Sequence, residues 1–74
     1  MDYIALTERE KLVVNYLVKG LNNEEISNII HISIHTTKAH LESIYEKLSV
    51  HNRVQAAIKA VKLGIVELEE YVNE

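Results

Sequence analysis

The signals that begin and end α-helices follow one another so closely in this 74-residue chain that they leave room only for short helices. Proline is absent, and the two glycines, Gly20 and Gly64, each follow an apolar helical pattern, where a left-handed C-terminal cap belongs. The expected N-caps are Thr7, Asn22, Ser33 and Asn52. All but Ser33 are followed three residues later by the partner of a capping box, which is Glu10, Glu25 or Gln55 respectively. Together these signals predict helices at about residues 7–19, 23–30, 34–48 and 53–63.

Apolar residues recur at helical spacing within the first three predicted helices, which gives each helix one face for a shared core. The expected core positions are Val13, Val14 and Leu17, then Ile26, Ile29 and Ile30, then Thr37, Leu41, Ile44 and Leu48. Strands are not expected, because only the short "HISIH" alternates, and a turn suits its place between two helices better. We predict an all-α, four-helix fold that forms a single domain over residues 1–74.

Composition limits the functions open to the chain. Apolar residues make up 47% of the chain and charged residues 26%, as in a folded domain. Because the chain has no cysteine, it can form neither a disulfide nor a zinc site with thiolate ligands. No signal peptide or membrane-length apolar run is visible, so we expect a cytoplasmic protein with no membrane partner. The four histidines lack metal-site spacing, and there is no phosphate loop or nucleophile elbow. We therefore predict no metal, no cofactor and no enzyme activity.

The acidic net charge of −3 is concentrated at the C-terminus. Four glutamates fall within residues 67–74, whereas residues 33–64 carry five basic groups against two acidic ones, a net of +3. Affinity for nucleic acids comes mainly from basic groups that neutralise phosphates. The chain thus has a modestly basic region despite its negative net charge. Ordinary solvated helix faces would give a similar charge balance. Whether the acidic segment extends the fourth helix or frays is left open by its pattern.

The break at His31, Ile32 and Ser33 divides one helical pattern into a short helix and a longer one. A short helix, a tight turn and a longer helix at about residues 23–48 form a helix-turn-helix, whose second helix can enter the DNA major groove. With the core stripe facing inward, the outward residues of the second helix are His35, Lys38, Ala39, Glu42 and Glu46. This pattern predicts a DNA-reading face, with a merely solvated face as the alternative.

The fourth predicted helix is apolar around most of its circumference, which requires burial on more than one side. In so small a domain, one side can face the core and the other a second copy of the chain. We predict a homodimer through Val54, Ala57, Ile58 and Val61. The alternative is that the alanines only favour helix formation and that their face is exposed.

Four pieces of the sequence between Leu6 and Val66 are distinctive: "LTERE", "KGLNNEEIS", "ISIHTTKAHLESIYEKLSV" and "NRVQAAIKA". Through them the chain resembles, without gaps from Leu6 to Val66, the LuxR-type (NarL/FixJ, GerE) DNA-binding domain. The resemblance implies a bacterial transcriptional regulator that binds double-stranded promoter DNA through its third helix and often dimerises through its fourth. RNA polymerase is a further partner to be expected of such a regulator.

The resemblance also assigns roles to individual residues. Lys38 matches a lysine that contacts DNA, Ala39 a variable position that touches bases, and His40 a histidine at the backbone. Arg53 is expected to organise the junction between the third and fourth helices, and Glu10 with Arg9 to bridge helices within the domain. The complete set of expected DNA-binding residues is Asn23, His35, Thr36, Thr37, Lys38, Ala39, His40, Glu42 and Lys47.

Three positions depart from the family pattern. Glu24 and Glu42 stand where other members often carry polar or basic DNA contacts, so we expect weak nonspecific affinity. Thr37 replaces a usual valine and adds a hydroxyl able to bond back to the preceding turn. The acidic substitutions keep a second interpretation open, a degenerate helix-turn-helix that binds proteins and has little DNA affinity. The sequence also leaves open whether the chain is a complete regulator or the effector domain of a longer one.

Overall fold

Four α-helices and no strand make up residues 5–66, the part of the chain that the computed structural model describes. The helices are α1 (Glu8–Val18), α2 (Asn23–Ile30), α3 (Ile34–Leu48) and α4 (Arg53–Lys62). The all-α prediction is confirmed, and each helix boundary lies within one residue of its predicted place. The acidic segment of residues 67–74, and any extension of α4 into it, lies outside the described residues.

Side chains at the four N-caps set where the helices begin. Thr7 and Asn22 each accept from the backbone N–H three residues on, and the returning glutamates complete both predicted capping boxes. Ser33 caps α3 through the N–H of Thr36. The third predicted box is incomplete, because the Gln55 side chain accepts from His51 N–H at 2.8 Å instead of returning to Asn52.

Left-handed residues follow all four helices. Gly20 (φ +93°) and Gly64 (φ +75°) hold this conformation as predicted, after α1 and α4. His31 (φ +61°) and Ser49 (φ +59°) take the same role after α2 and α3, although a side chain makes this conformation costlier. The tight turns between helices therefore do not depend on glycine alone.

The core is formed by the inner faces of all four helices. Its fully or nearly buried apolar side chains are Val13, Val14, Leu17, Ile26, Leu41, Ile44, Leu48, Ala56, Ala60 and Val66. Thr37 is buried among them, as its place in the predicted stripe requires. The prediction for Ile29 is wrong, since 46% of this residue is exposed. An eight-residue helix turns only one narrow stripe inward, and Ile26 occupies it.

Helix α3 lies at the centre of the packing, because its inner side contacts α1, α2 and α4. Helix α1 also packs against the other three, whereas α2 and α4 flank the pair. This arrangement leaves one side of α3 and one side of α4 uncovered. Within residues 5–66, no helix combines the length and the apolar character needed to cross a bilayer.

Candidate nucleic-acid interface

The turn between α2 and α3 is built from a left-handed residue and a cap. His31 ends α2, and the next residue, Ile32, donates its N–H to the Ser27 carbonyl at 3.1 Å. Ser33 then begins α3, with its Oγ accepting from Thr36 N–H at 3.0 Å and donating to Thr36 Oγ1 at 2.9 Å. The break in the sequence pattern is thus a fixed corner that sets the direction of α3.

A buried pair of hydroxyls joins the two helices of this motif. Ser27 Oγ and Thr37 Oγ1 lie 2.7 Å apart, and Ser27 also donates to the Asn23 carbonyl at 2.7 Å. Thr37 Oγ1 reaches the Ser33 carbonyl at 3.2 Å, the predicted bond to the preceding turn. As a DNA contact, however, Thr37 is corrected by the structure: it is 0% exposed. It acts from the core, by holding α3 against α2.

The outer side of α3 brings together most of the predicted DNA-binding residues. The exposed residues, which lie along its first two turns and beyond, are His35, Lys38, Ala39 and Glu42. At the edges of this side, Thr36 and His40 are half-buried. Among residues 5–66, the charged groups of Lys38 and Glu42 have no hydrogen-bond or ion-pair partner. This face is therefore open to a partner outside the domain.

Lys47, also predicted to contact DNA, is instead engaged within the domain. Its Nζ donates to Glu10 Oε1 at 2.7 Å and to the carbonyl of Ala5 at 3.2 Å. Ser43 Oγ donates to the other carboxylate oxygen of Glu10, also at 2.7 Å. Glu10 thus bridges α1 and α3, as expected of it, while its neighbour Arg9 is exposed. Sequence spacing gave no indication of this cluster, because Glu10 lies more than thirty positions from both Ser43 and Lys47.

The surroundings of Glu10 hold its carboxylate in the charged form. Burial alone would raise the pKa, but hydrogen bonds from Lys47, Ser43 and the Thr7 N–H, with the charge of Lys47, outweigh it. Together they lower the pKa of Glu10 from 4.5 to about 2. The second half of α3 is consequently fixed to α1 by a charged contact at neutral pH.

Arg53 ties the beginning of α4 to the turn before α2. Its guanidinium donates to Asn23 Oδ1 at 3.0 Å and to the Leu21 carbonyl at 2.7 Å. The predicted junction between α3 and α4 is therefore corrected, since the guanidinium lies against the entry to the helix-turn-helix. Asn23, another predicted DNA contact, is half-buried and has its side-chain oxygen occupied by this bond.

Helix α4 divides its predicted apolar circumference between the core and the surface. Ala56 and Ala60 are fully buried, whereas Val54 is 64% and Ile58 53% exposed. Ala57 and Val61, the other predicted dimer residues, are half-buried between these two sides. The exposed apolar strip is available to a protein partner. Within the described part of the chain, no cluster of three or more potential metal ligands is present.

Comparison with known proteins agrees with this geometry. The family model for bacterial regulatory proteins of the luxR family matches residues 5–60, which include all of α1, α2 and α3 and most of α4. The chain belongs to the LuxR family. Its described part is accordingly a helix-turn-helix DNA-binding domain of the kind found in transcriptional regulators.

LuxR-family response regulators resemble the chain along most of its length. The response regulator protein VraR of Staphylococcus aureus and that of Staphylococcus saprophyticus are each 40% identical over 65 residues, 88% of this chain and 31% of theirs. A crystal structure of the response regulator ChrA, from a heme-sensing two-component system, superposes with a TM-score of 0.83 at 35% identity. That match covers 89% of this chain and 33% of ChrA. The chain thus spans about a third of the length of these relatives.

Proposed function

We propose that the domain binds double-stranded promoter DNA by placing the N-terminal half of α3 in the major groove. The observation that carries the proposal is the outer side of this helix, where exposed polar residues surround Lys38 without internal partners among residues 5–66. A groove-reading helix needs such side chains near its N-terminus. The activity is binding without a catalytic step, and it belongs in the cytoplasm, where a bacterium keeps its promoters.

The beginning of α3 differs electrostatically from those of α1 and α2. Two glutamates lie in the first turn of α1 and two in that of α2, whereas the first turn of α3 contains no acidic residue. The positive end of the α3 dipole is therefore not neutralised within its own turn, which favours a nearby phosphate. Lys38 adds a full positive charge one turn later. We assign phosphate or guanine contact to Lys38 and close approach to Ala39.

Salt dependence of binding separates this proposal from the protein-binding alternative. We expect affinity of the 74-residue chain for promoter fragments to fall steeply between low and moderate salt, because binding releases counterions. Lys38→Ala should weaken binding to all sequences and lower the salt slope by about one. Lys11→Ala is the matched control, since Lys11 is an exposed lysine on α1 whose only ion-pair partner among residues 5–66 is Glu8, at 3.6 Å. Affinity that is indifferent to salt and to Lys38 would reject DNA binding.

We also propose that the chain dimerises through the exposed strip of α4. Val54 and Ile58 lie one turn apart on that strip, and an apolar surface of this kind is stabilised by burial against an identical one. A dimer would present two reading helices to the two halves of a site. RNA polymerase is the further partner that we expect once the dimer is bound at a promoter.

Sedimentation of the chain with and without DNA tests the dimer. Ile58→Glu should shift the population to monomer, because two buried charges would oppose each other across the symmetric contact. Leu12→Glu is the control, as Leu12 is an apolar α1 residue that is 37% exposed and outside the strip. A wild-type chain that remains monomeric at high concentration, alone and on DNA, would exclude the dimer.

A further inference from the structure

The reading face of α3 has an unusual charge for a surface that meets DNA. Its exposed residues include one cation, Lys38, and two anions, Glu42 and Glu46. Carboxylates near phosphates lower affinity for every sequence, so a purely electrostatic helix would gain from losing them. Glu42 is nonetheless exposed only one turn beyond Lys38, on the side of α3 that faces away from the core. Its position suits a role in choosing between sequences.

The structure leaves the Glu42 carboxylate available for such a role. Residues four apart on a helix are close enough to pair, yet Lys38 and Glu42 form no ion pair here. In the part of the chain described, the only α3 side chains bonded to another helix are Thr37, Ser43 and Lys47. A carboxylate is an acceptor of hydrogen bonds and donates none.

An acceptor that cannot donate distinguishes the four bases in the major groove. Guanine presents two acceptors there and thymine presents one, so both repel a carboxylate. Adenine offers an N6 amino group, but the neighbouring N7 is an acceptor that opposes the second carboxylate oxygen. Cytosine offers its N4 amino donor, and its own major-groove edge has no acceptor. Building on the proposed groove binding, we infer that Glu42 selects cytosine by accepting a hydrogen bond from N4.

The selection works mainly by penalising the wrong base. Opposite cytosine, the carboxylate exchanges water for an amino donor, whereas opposite any other base it is desolvated without a full partner. Four residues of helix correspond to about 6 Å, or about two base-pair steps, between the bases read by Lys38 and Glu42. The preferred site should therefore hold a guanine for Lys38 and a cytosine for Glu42 separated by about that distance.

Selection of bound duplexes from a random library tests the inference. The wild-type chain should enrich cytosine at one position, with a preference of roughly five- to 100-fold over other bases. Glu42→Gln should move that preference to adenine, because an amide pairs with N6 and N7 of adenine. Glu42→Ala should reduce it to within about twofold while nonspecific affinity rises. Circular dichroism of each variant should show unchanged helicity, since Glu42 is exposed.

Glu46→Gln is the matched control, because it removes the same charge from the same side of α3 one turn further along. It should raise nonspecific affinity without changing the base profile. Identical base profiles for wild type, Glu42→Gln and Glu42→Ala would overturn the role of Glu42 and leave DNA binding intact. Failure of the wild-type chain to bind any duplex in a salt-dependent manner would instead overturn the proposed function, and the inference with it.

Discussion

The two halves of α3 use lysine in opposite ways. Lys38, in the first half, projects from the domain and has no internal partner among the described residues. Lys47, in the second half, reaches back to α1 and bonds to a buried carboxylate. The same residue type is thus open to a partner at one end of the helix and attaches the helix to the core at the other. Position relative to the core decides which role a basic side chain takes, and each half can be tested separately.

The largest expected effect is the loss of the Glu10 anchor in acid. Because the pKa of Glu10 falls from 4.5 to about 2 on folding, its charged form stabilises the fold above pH 4.5. That stability disappears as pH falls through about 2, and a shift of this size corresponds to at most about 3 kcal/mol. Urea unfolding between pH 6 and pH 2 should reveal it. Glu10→Gln should remove this part of the pH dependence, whereas Glu46→Gln, on the exposed side, should retain it.

Removal of the Lys47 partner gives the next largest effect. Lys47→Met leaves the Glu10 carboxylate buried without its cation, which should lower the free energy of unfolding by about 2 kcal/mol. Because Lys47 is partly exposed, this loss is smaller than that expected for a fully buried ion pair. Lys38→Met should change it by less than about 0.5 kcal/mol. Urea unfolding at pH 7 compares the two directly. Equal losses from both substitutions would abolish the distinction between the halves of α3.

The first half of α3 has its own, weaker anchor in the hydroxyls of Ser27 and Thr37. Thr37→Val should cost about 1 kcal/mol, because Ser27 loses a buried partner. Ser27→Ala with Thr37→Val should cost less than the sum of the single changes, because the hydrogen bond between the two hydroxyls is lost only once. Chemical unfolding of all four forms in a double-mutant cycle measures this coupling. Strictly additive losses would mean that the two hydroxyls do not stabilise each other.

Much of the fold follows from the sequence because it is encoded locally. The N-caps at Thr7, Asn22 and Ser33 each act on a backbone N–H three residues away. The glycine turns likewise involve only a few neighbouring residues. The inner stripe of α3 was also predictable, since its spacing fixes which side of the helix each residue occupies. These signals need no knowledge of which helices are neighbours.

Contacts between distant segments were not predictable in this way. The resemblance placed Lys47 among the DNA contacts, and nothing in its own segment reveals that Glu10 lies 2.7 Å away. Arg53 was assigned to the wrong junction for the same reason. Thr37 shows the reverse case: its spacing predicted a buried place, whereas the resemblance alone suggested a DNA contact. Among the expected DNA-binding residues, the exposed ones stay predictions until binding is measured.

The smallest expected effects concern the residues that bound α3. His31 and Ser49 hold left-handed conformations that glycine adopts at lower cost. His31→Gly and Ser49→Gly should each raise the free energy of unfolding by up to about 1 kcal/mol. Thermal unfolding monitored by circular dichroism is sensitive enough for such shifts. Similar gains at both sites are expected, because the backbone angles of the two residues nearly coincide; a loss at either would mean that its side chain contributes more than its backbone costs.

The open side of α3 has a consequence for how such a regulator changes over generations. Because His35, Lys38, Ala39 and Glu42 are exposed and bond to no other helix within residues 5–66, their substitution leaves the packing undisturbed. Under the proposed groove binding, new target sites become reachable through a series of single exchanges, each of which leaves a folded protein. A duplicated gene can then change this proposed reading face by altering only these four codons, while the anchors at Glu10 and Thr37 preserve the scaffold.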